Sequence, residues 1–230
     1  DMTDKIQYDL ILKNGTVVLP NETTNVDIGI KDEKIHTIGN LSECSTECCA
    51  DNVINCEGLH ILPGVIDSQV HFREPGLENK ENLESGMLAA AAGGVTAVFE
   101  MPNTNPLTIT PETIKDKLKR ASRVPWTDYA FYLGGTGRTG PNLDKWENGP
   151  GICGIKIFMG ASTGELMTAS DEEVEAVLSH GKRVVAVHAE DQYIMQKNMK
   201  EILKDQTDVA LHSVWRSPES CLSATKRVVS

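Results

Sequence analysis

At 230 residues, with 40% hydrophobic and 24% charged residues, the chain has the composition of an ordinary globular protein and the length for a sizeable core. A net charge of −11 argues against nonspecific nucleic-acid binding and against anionic lipid surfaces, because both depend on excess Lys and Arg. No stretch approaches the roughly 20 apolar residues of a membrane span, and "DMTDKIQYDL" lacks the features of a secretory leader, so a cytoplasmic location is expected.

The chain opens on short alternating strands. "YDLILKNGTVV" turns at Asn14-Gly15 and "VDIGIKDEKIHTIG" at Lys31 to Glu33, which predicts a β-rich module over residues 1–57. Cys44, Cys48, Cys49 and Cys56 lie close together but lack the two separated Cys-x-x-Cys pairs of a zinc site. They are expected as free thiols in a surface insertion.

From residue 58 the rhythm becomes strand, loop, helix. "LHILPGVID" predicts a strand, "ENLESGMLAAAA" a helix stopped by Gly93-Gly94, and "VTAVFEM" the second strand. Thr110-Pro111-Glu112 opens the helix "ETIKDKLKRAS", and "DYAFYLGG" and "GICGIKIFMG" follow as strands three and four. Ser170 and Glu173 predict a capping box for "DEEVEAVLSH", with Gly181 ending that helix, and "RVVAVHAE" is the fifth strand. Helical sequence continues to residue 229.

Such alternation implies a parallel sheet, either doubly wound or part of a (β/α)8 barrel. No Gly-x-Gly-x-x-Gly follows the first strand, which disfavours the dinucleotide-binding version. A whole barrel needs about 250 residues, so residues 58–230 have room for about five of its eight units. A partial barrel would leave an open sheet edge and exposed apolar strand faces.

Polar groups at the C-terminal ends of barrel strands are the natural candidates for chemistry. Here they are Gln69, His71 and Arg73 after the first strand, Asn103 after the second, Lys156 in the fourth and His188 closing the fifth. Lys156 stands out because "GIKIFM" puts an amine inside an apolar strand, where a bare ammonium is costly unless paired or chemically altered. Gln69 and His71, two apart on one strand, have the spacing of a pair of metal ligands. His36, His60 and His180 read as surface or packing residues, and His212 as a residue at the edge of the site.

"PGVIDSQVHFREPG", "AVFEMPNTNP", "GIKIFMG" and "VHAED" occur in the order and spacing of dihydroorotases, cyclic amidohydrolases of the amidohydrolase superfamily. The resemblance covers the N-terminal half or slightly more of such an enzyme. Arg73, two residues after His71, distinguishes the pattern from those of allantoinases and dihydropyrimidinases. The resemblance implies a distorted (β/α)8 TIM-like barrel with an N-terminal β-sandwich module, and reversible hydrolysis of dihydroorotate to N-carbamoyl-aspartate in pyrimidine synthesis. It also implies one or two Zn2+ ions held by His71, His188 and a carboxylated, bridging Lys156, with Arg73 and Asn103 on the substrate carboxylate. The family has histidine where this chain has Gln69, a weaker neutral ligand. The strand-eight aspartate of the family has no counterpart in these residues. The implied partners are a small-molecule substrate and either a second copy of the chain or an aspartate transcarbamoylase, which a noncatalytic relative could also serve as a structural partner.

Overall fold

The computed structural model describes residues 6–44, 49–160, 166–204 and 206–230, in two compact units, Asp1–Gly64 and Val65–Ser230. Cys48 lies outside the described residues.

The first unit holds two small sheets. Strands β1 (Tyr8–Lys13), β4 (Asp27–Lys31), β5 (Lys34–Gly39) and β6 (Ala50–Asn55) form one, in the order β5-β4-β1-β6. Strands β2 (Thr16–Val18), β3 (Thr23–Asn25) and β7 (His60–Ile61) form the other, in the order β3-β2-β7. The turn expected at Lys31 to Glu33 is a tight hairpin whose central residues, Asp32 and Glu33, both have positive φ, the geometry that matches strand twist. Asn14-Gly15 is different. β1 pairs with β4 and β6, so this bend moves the chain from one sheet to the other instead of closing a hairpin. Asn14, at φ 62°, donates its backbone N–H to Asp27 Oδ1 at 3.0 Å, and Gly15 sits where a Cβ would come within 2.4 Å of Ile61. The core of this unit gathers around Tyr8, Ile11 and Ala50. Cys44 and Cys56 are free thiols, but Cys49 and Cys56 are buried, which corrects the expectation of a surface insertion.

The expected strand "LHILPGVID" is two strands. Pro63 lacks an amide proton, pairing stops after β7, and the second unit begins with β8 (Val65–Val70). Beyond β8 come α1 (Leu83–Ala92), β9 (Val95–Glu100), α2 (Pro111–Ala121), β10 (Asp128–Gly134) and the short α3 (Leu143–Trp146). These are followed by β11 (Ile152–Phe158), α4 (Asp171–Leu178) and β12 (Val185–His188). Helices α5 (Gln192–Asn198), α6 (His212–Trp215) and α7 (Pro218–Val229) complete the unit.

The five strands are all parallel, in the order β12-β11-β10-β9-β8. Strictly sequential order separates the two expected architectures. A doubly wound sheet reverses direction at a switch point, whereas a barrel adds each strand beside the last. The unit is a curled parallel half-barrel. Its core is drawn from the apolar strand runs and the helix faces over them, including Phe131, Leu133, Ile155 and Ile157 with Leu83, Met87, Ile114 and Val177. Each such side chain contributes about 1.5–3 kcal/mol. Among the described residues β8 and β12 have open outer edges, and Val65 and Ile66 on β8 are exposed, as a partial barrel requires.

Local signals set the helix starts. Asn82 caps α1, Thr110 with Thr113 forms a capping box on α2, and Ser170 with Glu173 forms the expected one on α4. Helix α4 ends at Leu178 with Ser179 as its cap, so Gly181 follows the helix and does not terminate it.

Candidate active site

Parallel strands bring their C-terminal ends to one rim, and the expected polar residues collect there. Gln69 lies within β8 and His71 just past its end; Asn103 follows β9, Lys156 lies in β11 and His188 closes β12. Gln69, Lys156 and His188 line one open cleft of about 550 Å³, together with Glu190, Ser213, Arg216, Ser217 and Cys221. His71, Arg73 and Asn103 do not line that cleft and form a second group. The two groups are in electrostatic reach of each other, because the charges of Arg73, Lys156 and His188 all bear on His71.

The β8–β9 register shifts between Asp67 and Val70, a bulge that interrupts the alternation on which the Gln69/His71 pairing was based. Gln69 is exposed, its backbone N–H bonded to Asp67 Oδ1 at 3.0 Å. Val70 is the last residue of the strand, so His71 is placed by the loop. Arg73 in that loop has φ 67°, an uncommon conformation for a residue with a side chain. Its guanidinium has no hydrogen bond or ion pair among the described residues.

The hydrogen bonds assign the imidazole protons. His71 Nδ1 lies 2.7 Å from Asn103 Oδ1, an amide oxygen that can only accept, so Nδ1 carries the proton and Nε2 keeps the lone pair. Burial, first of several causes, lowers the pKa of His71, which keeps the ring neutral as a metal ligand must be. This contact uses only the oxygen of Asn103, leaving its NH2 group able to donate.

His188 Nε2 contacts Glu190 Oε2. Arg216 grips the same carboxylate with two nitrogens, Nε on Oε1 at 2.9 Å and Nη2 on Oε2. These bonds from Arg216, with help from His188 and against burial, hold the Glu190 carboxyl at about 2. Phe158 stacks on the His188 ring, centroids 6.1 Å apart.

Lys156 is 2% exposed, and its Nζ forms no hydrogen bond or ion pair among the described residues. Its Nζ sits 5.0 Å from the centroid of Phe158. A cation–π contact is worth about 0.5–2 kcal/mol, against several kcal/mol for burying an ammonium, so the contact does not offset the burial. Burial accordingly pushes the pKa of Lys156 down, towards the neutral amine.

His36, His60 and His180 are exposed, as expected. His212 is not at the edge of the site. It lies edge-on to Trp215 in a separate groove with Leu203 and Val209, while its neighbour Ser213 lines the cleft. Glu190 and Arg216 were not anticipated. Glu190 was discernible as a carboxylate two residues beyond the strand-end histidine, but Arg216, 26 residues further on, carried no local signal.

Among the described residues no three His, Cys, Asp or Glu side chains converge as a metal cage. The donors present nonetheless fit a metal, with two imidazoles that each have one ring nitrogen engaged by a neighbouring side chain, and one buried amine that is unpaired among the described residues. Among the described residues no helix is long and apolar enough to cross a membrane.

The chain is similar to several known proteins. Residues 58–136 match the family model described as Dihydro-orotase-like. The chain is 36% identical over 216 residues to a dihydroorotase of Methanosarcina acetivorans, covering 93% of this chain and 45% of that protein. It is 40% identical over 158 residues to an allantoinase of Salmonella newport, covering 67% of this chain and 33% of the relative. Among solved structures, the L-hydantoinase (dihydropyrimidinase) of Arthrobacter aurescens superposes with a TM-score of 0.85 at 30% identity, over 97% of this chain and 50% of that one. The chain therefore spans about half the length of the dihydroorotase and of the hydantoinase.

Proposed function

The chain belongs with the dihydroorotase-like amidohydrolases, and we propose that it carries the metal and carboxylate-binding part of a dihydroorotase active site. In this reading residues 65–230 supply five βα units of a distorted (β/α)8 barrel, and the two sheets of residues 1–64 contribute to a β-sandwich. The reaction is the reversible hydrolysis of dihydroorotate to N-carbamoyl-aspartate.

The observation that carries the reading is Lys156, a buried amine with no anionic partner among the described residues, at the rim that also holds His71 and His188. Reaction of the neutral amine with CO2 would give a carbamate and release a proton, turning an unpaired cation into an anionic ligand. His71 through Nε2, His188 through Nδ1 and the Lys156 carbamate would hold zinc. When bound, the metal supplies Lewis acidity for the ring amide and acidifies water for attack at neutral pH. Arg73 and the NH2 of Asn103 would take the substrate carboxylate, a task suited to a guanidinium fork that no other described residue engages.

The test is turnover by the full-length protein of dihydroorotate against allantoin and hydantoin, in wild type and Arg73→Met. We expect dihydroorotate to be the preferred substrate and Arg73→Met to raise its KM by about 10–100-fold, the loss of one charge-assisted interaction of about 1.5–3 kcal/mol. Preference for a carboxylate-free ring, unchanged by the Arg73 substitution, would favour the second reading, a cyclic amidohydrolase of the allantoinase or hydantoinase type. Less than one bound zinc with no turnover of any of these would identify a noncatalytic homologue, for example a structural partner of aspartate transcarbamoylase.

Gln69 offers a separate check. Gln69→His restores an imidazole where the amide is a weak neutral donor, and zinc affinity measured against a chelator should rise by roughly 10–100-fold. Unchanged affinity would remove residue 69 from the ligand set.

A further inference from the structure

The family resemblance and the strand-end pattern account for His188 but leave Glu190 and Arg216 without a role. Both line the cleft with Lys156 and Gln69, and their contacts converge on one atom, His188 Nε2. That nitrogen meets Glu190 Oε2 directly and lies 3.2 Å from Arg216 Nη2. It cannot donate to one and accept from the other in the same tautomer. Glu190 Oε2, as part of a carboxylate, can only accept, so its direct contact with Nε2 requires the proton on Nε2, and Arg216 Nη2 donates to the carboxylate and not to the ring.

We propose that Glu190 and Arg216 are a positioning pair for His188: the carboxylate takes the Nε2 proton, leaving Nδ1 as the only lone pair of the ring, and the guanidinium fork fixes the carboxylate. The inference rests on the reading that His188 is a metal ligand, and assigns the residues that orient it. Surrounding anchors keep the pair in place. Asp191, next in sequence to Glu190, caps α5 through Tyr193 and Ile194 and accepts from Ser223 Oγ at 2.7 Å and Arg227 at 3.2 Å. Its backbone N–H bonds Ser220 O at 2.9 Å. The turn bearing Glu190 is thereby tied to α7, which begins two residues after Arg216. Phe158 stacked on the imidazole restricts the ring from the β11 side. A ligating histidine whose second nitrogen donates to a held carboxylate gains both a fixed tautomer and a more basic donor atom, and loss of such support weakens metal binding by about 10–100-fold.

The test uses the metal-free protein and zinc alone. Ring-nitrogen NMR on the metal-free wild type, assigned against His188→Asn at a pH where the ring is neutral, should show His188 protonated on Nε2. Glu190→Ala should convert it to a tautomer mixture and weaken zinc binding about 10–100-fold. Glu190→Gln keeps an acceptor oxygen and should retain the tautomer with a smaller loss, and Arg216→Met should fall between the two. A wild-type ring protonated on Nδ1 overturns the proposal, as does a Glu190→Ala protein that binds zinc normally while His188→Asn does not. If His188→Asn itself binds zinc with wild-type affinity, the ligand role fails and the positioning role falls with it. A loss of zinc in Glu190→Ala with the Nε2 tautomer intact overturns only the positioning pair and leaves the metal reading standing.

Discussion

Lys156→Ala should reduce zinc binding to background, and Lys156→Met should do the same while raising the thermal stability of the metal-free protein. The two variants separate a functional lysine from a structural one. A lysine that stabilised its surroundings through an ion pair would leave an uncompensated charge behind when removed, and stability would fall. Among the described residues Lys156 has no such partner, and its Nζ lies 5.0 Å from the centroid of the Phe158 ring. Replacing its ammonium with an apolar chain of similar length therefore relieves a burial cost without orphaning any other described group. The pH dependence has a definite sign. Burial lowers the folded-state pKa of Lys156 below its unfolded value, so between the two the unfolded chain binds more protons. The stability lost to the buried ammonium is present in full below the folded pKa and recovered as pH rises through it. The advantage of Lys156→Met should accordingly be largest at low pH and shrink on the alkaline side, measured by thermal unfolding of metal-free protein. Isotope-labelled bicarbonate should give a carbamate signal in zinc-loaded wild type and none in either variant. Full zinc occupancy in Lys156→Ala would remove the bridging role.

This residue also marks how far the sequence could be read. An amine within "GIKIFM" is chemically out of place wherever the strand lies, and its burial follows from the apolar run around it. The β/α alternation and the Ser170/Glu173 box were legible for the same reason, since each depends on residues near in sequence. The Asn14-Gly15 turn was legible but its strand partners were not, because a turn signal gives no information about partners: β1 is claimed by β4 and β6, whose pairing residues lie 16 to 42 positions away. At the site, strand ends located the candidates, but the bulge at Ser68-Gln69 altered the presentation of Gln69 in a way that alternation does not reveal. Arg216 was illegible because its partner is set by how the helices after β12 fold back, a tertiary matter.

A second buried lysine escaped notice because it sits among the charges of "ETIKDKLKRAS". On α2, Ile114, Lys117 and Ala121 share the buried face at helical spacing, and Lys117 is fully buried. Unlike Lys156 it is paired, with Nζ 2.9 Å from Glu100 Oε2 and donating to Met101 O at 3.1 Å. Burial alone drives the two pKa values towards each other, Glu100 up and Lys117 down, and their mutual attraction opposes both shifts. Glu100 ends β9 and Met101 begins the segment to Asn103, whose oxygen holds His71. The pair thus braces the backbone from which the second group of site residues is presented. Lys117→Met should destabilise the protein by about 3–5 kcal/mol, because it leaves the Glu100 carboxylate buried and unpaired. For a chain of this size that is a fall in Tm of roughly 6–20 °C. Glu100→Gln, which strands the ammonium, should do much the same. Lys117→Met combined with Glu100→Gln removes both charges and should recover most of the loss, since the cost lies in the orphaned charge and not in the absence of the pair. A double variant whose destabilisation equals the sum of the two singles would show that the groups do not interact energetically. Zinc affinity of the recovered double variant then isolates the bracing role. If the Lys117 bond to Met101 O fixes the approach to Asn103, affinity stays low even where stability has returned; if affinity returns with stability, the pair serves the fold alone.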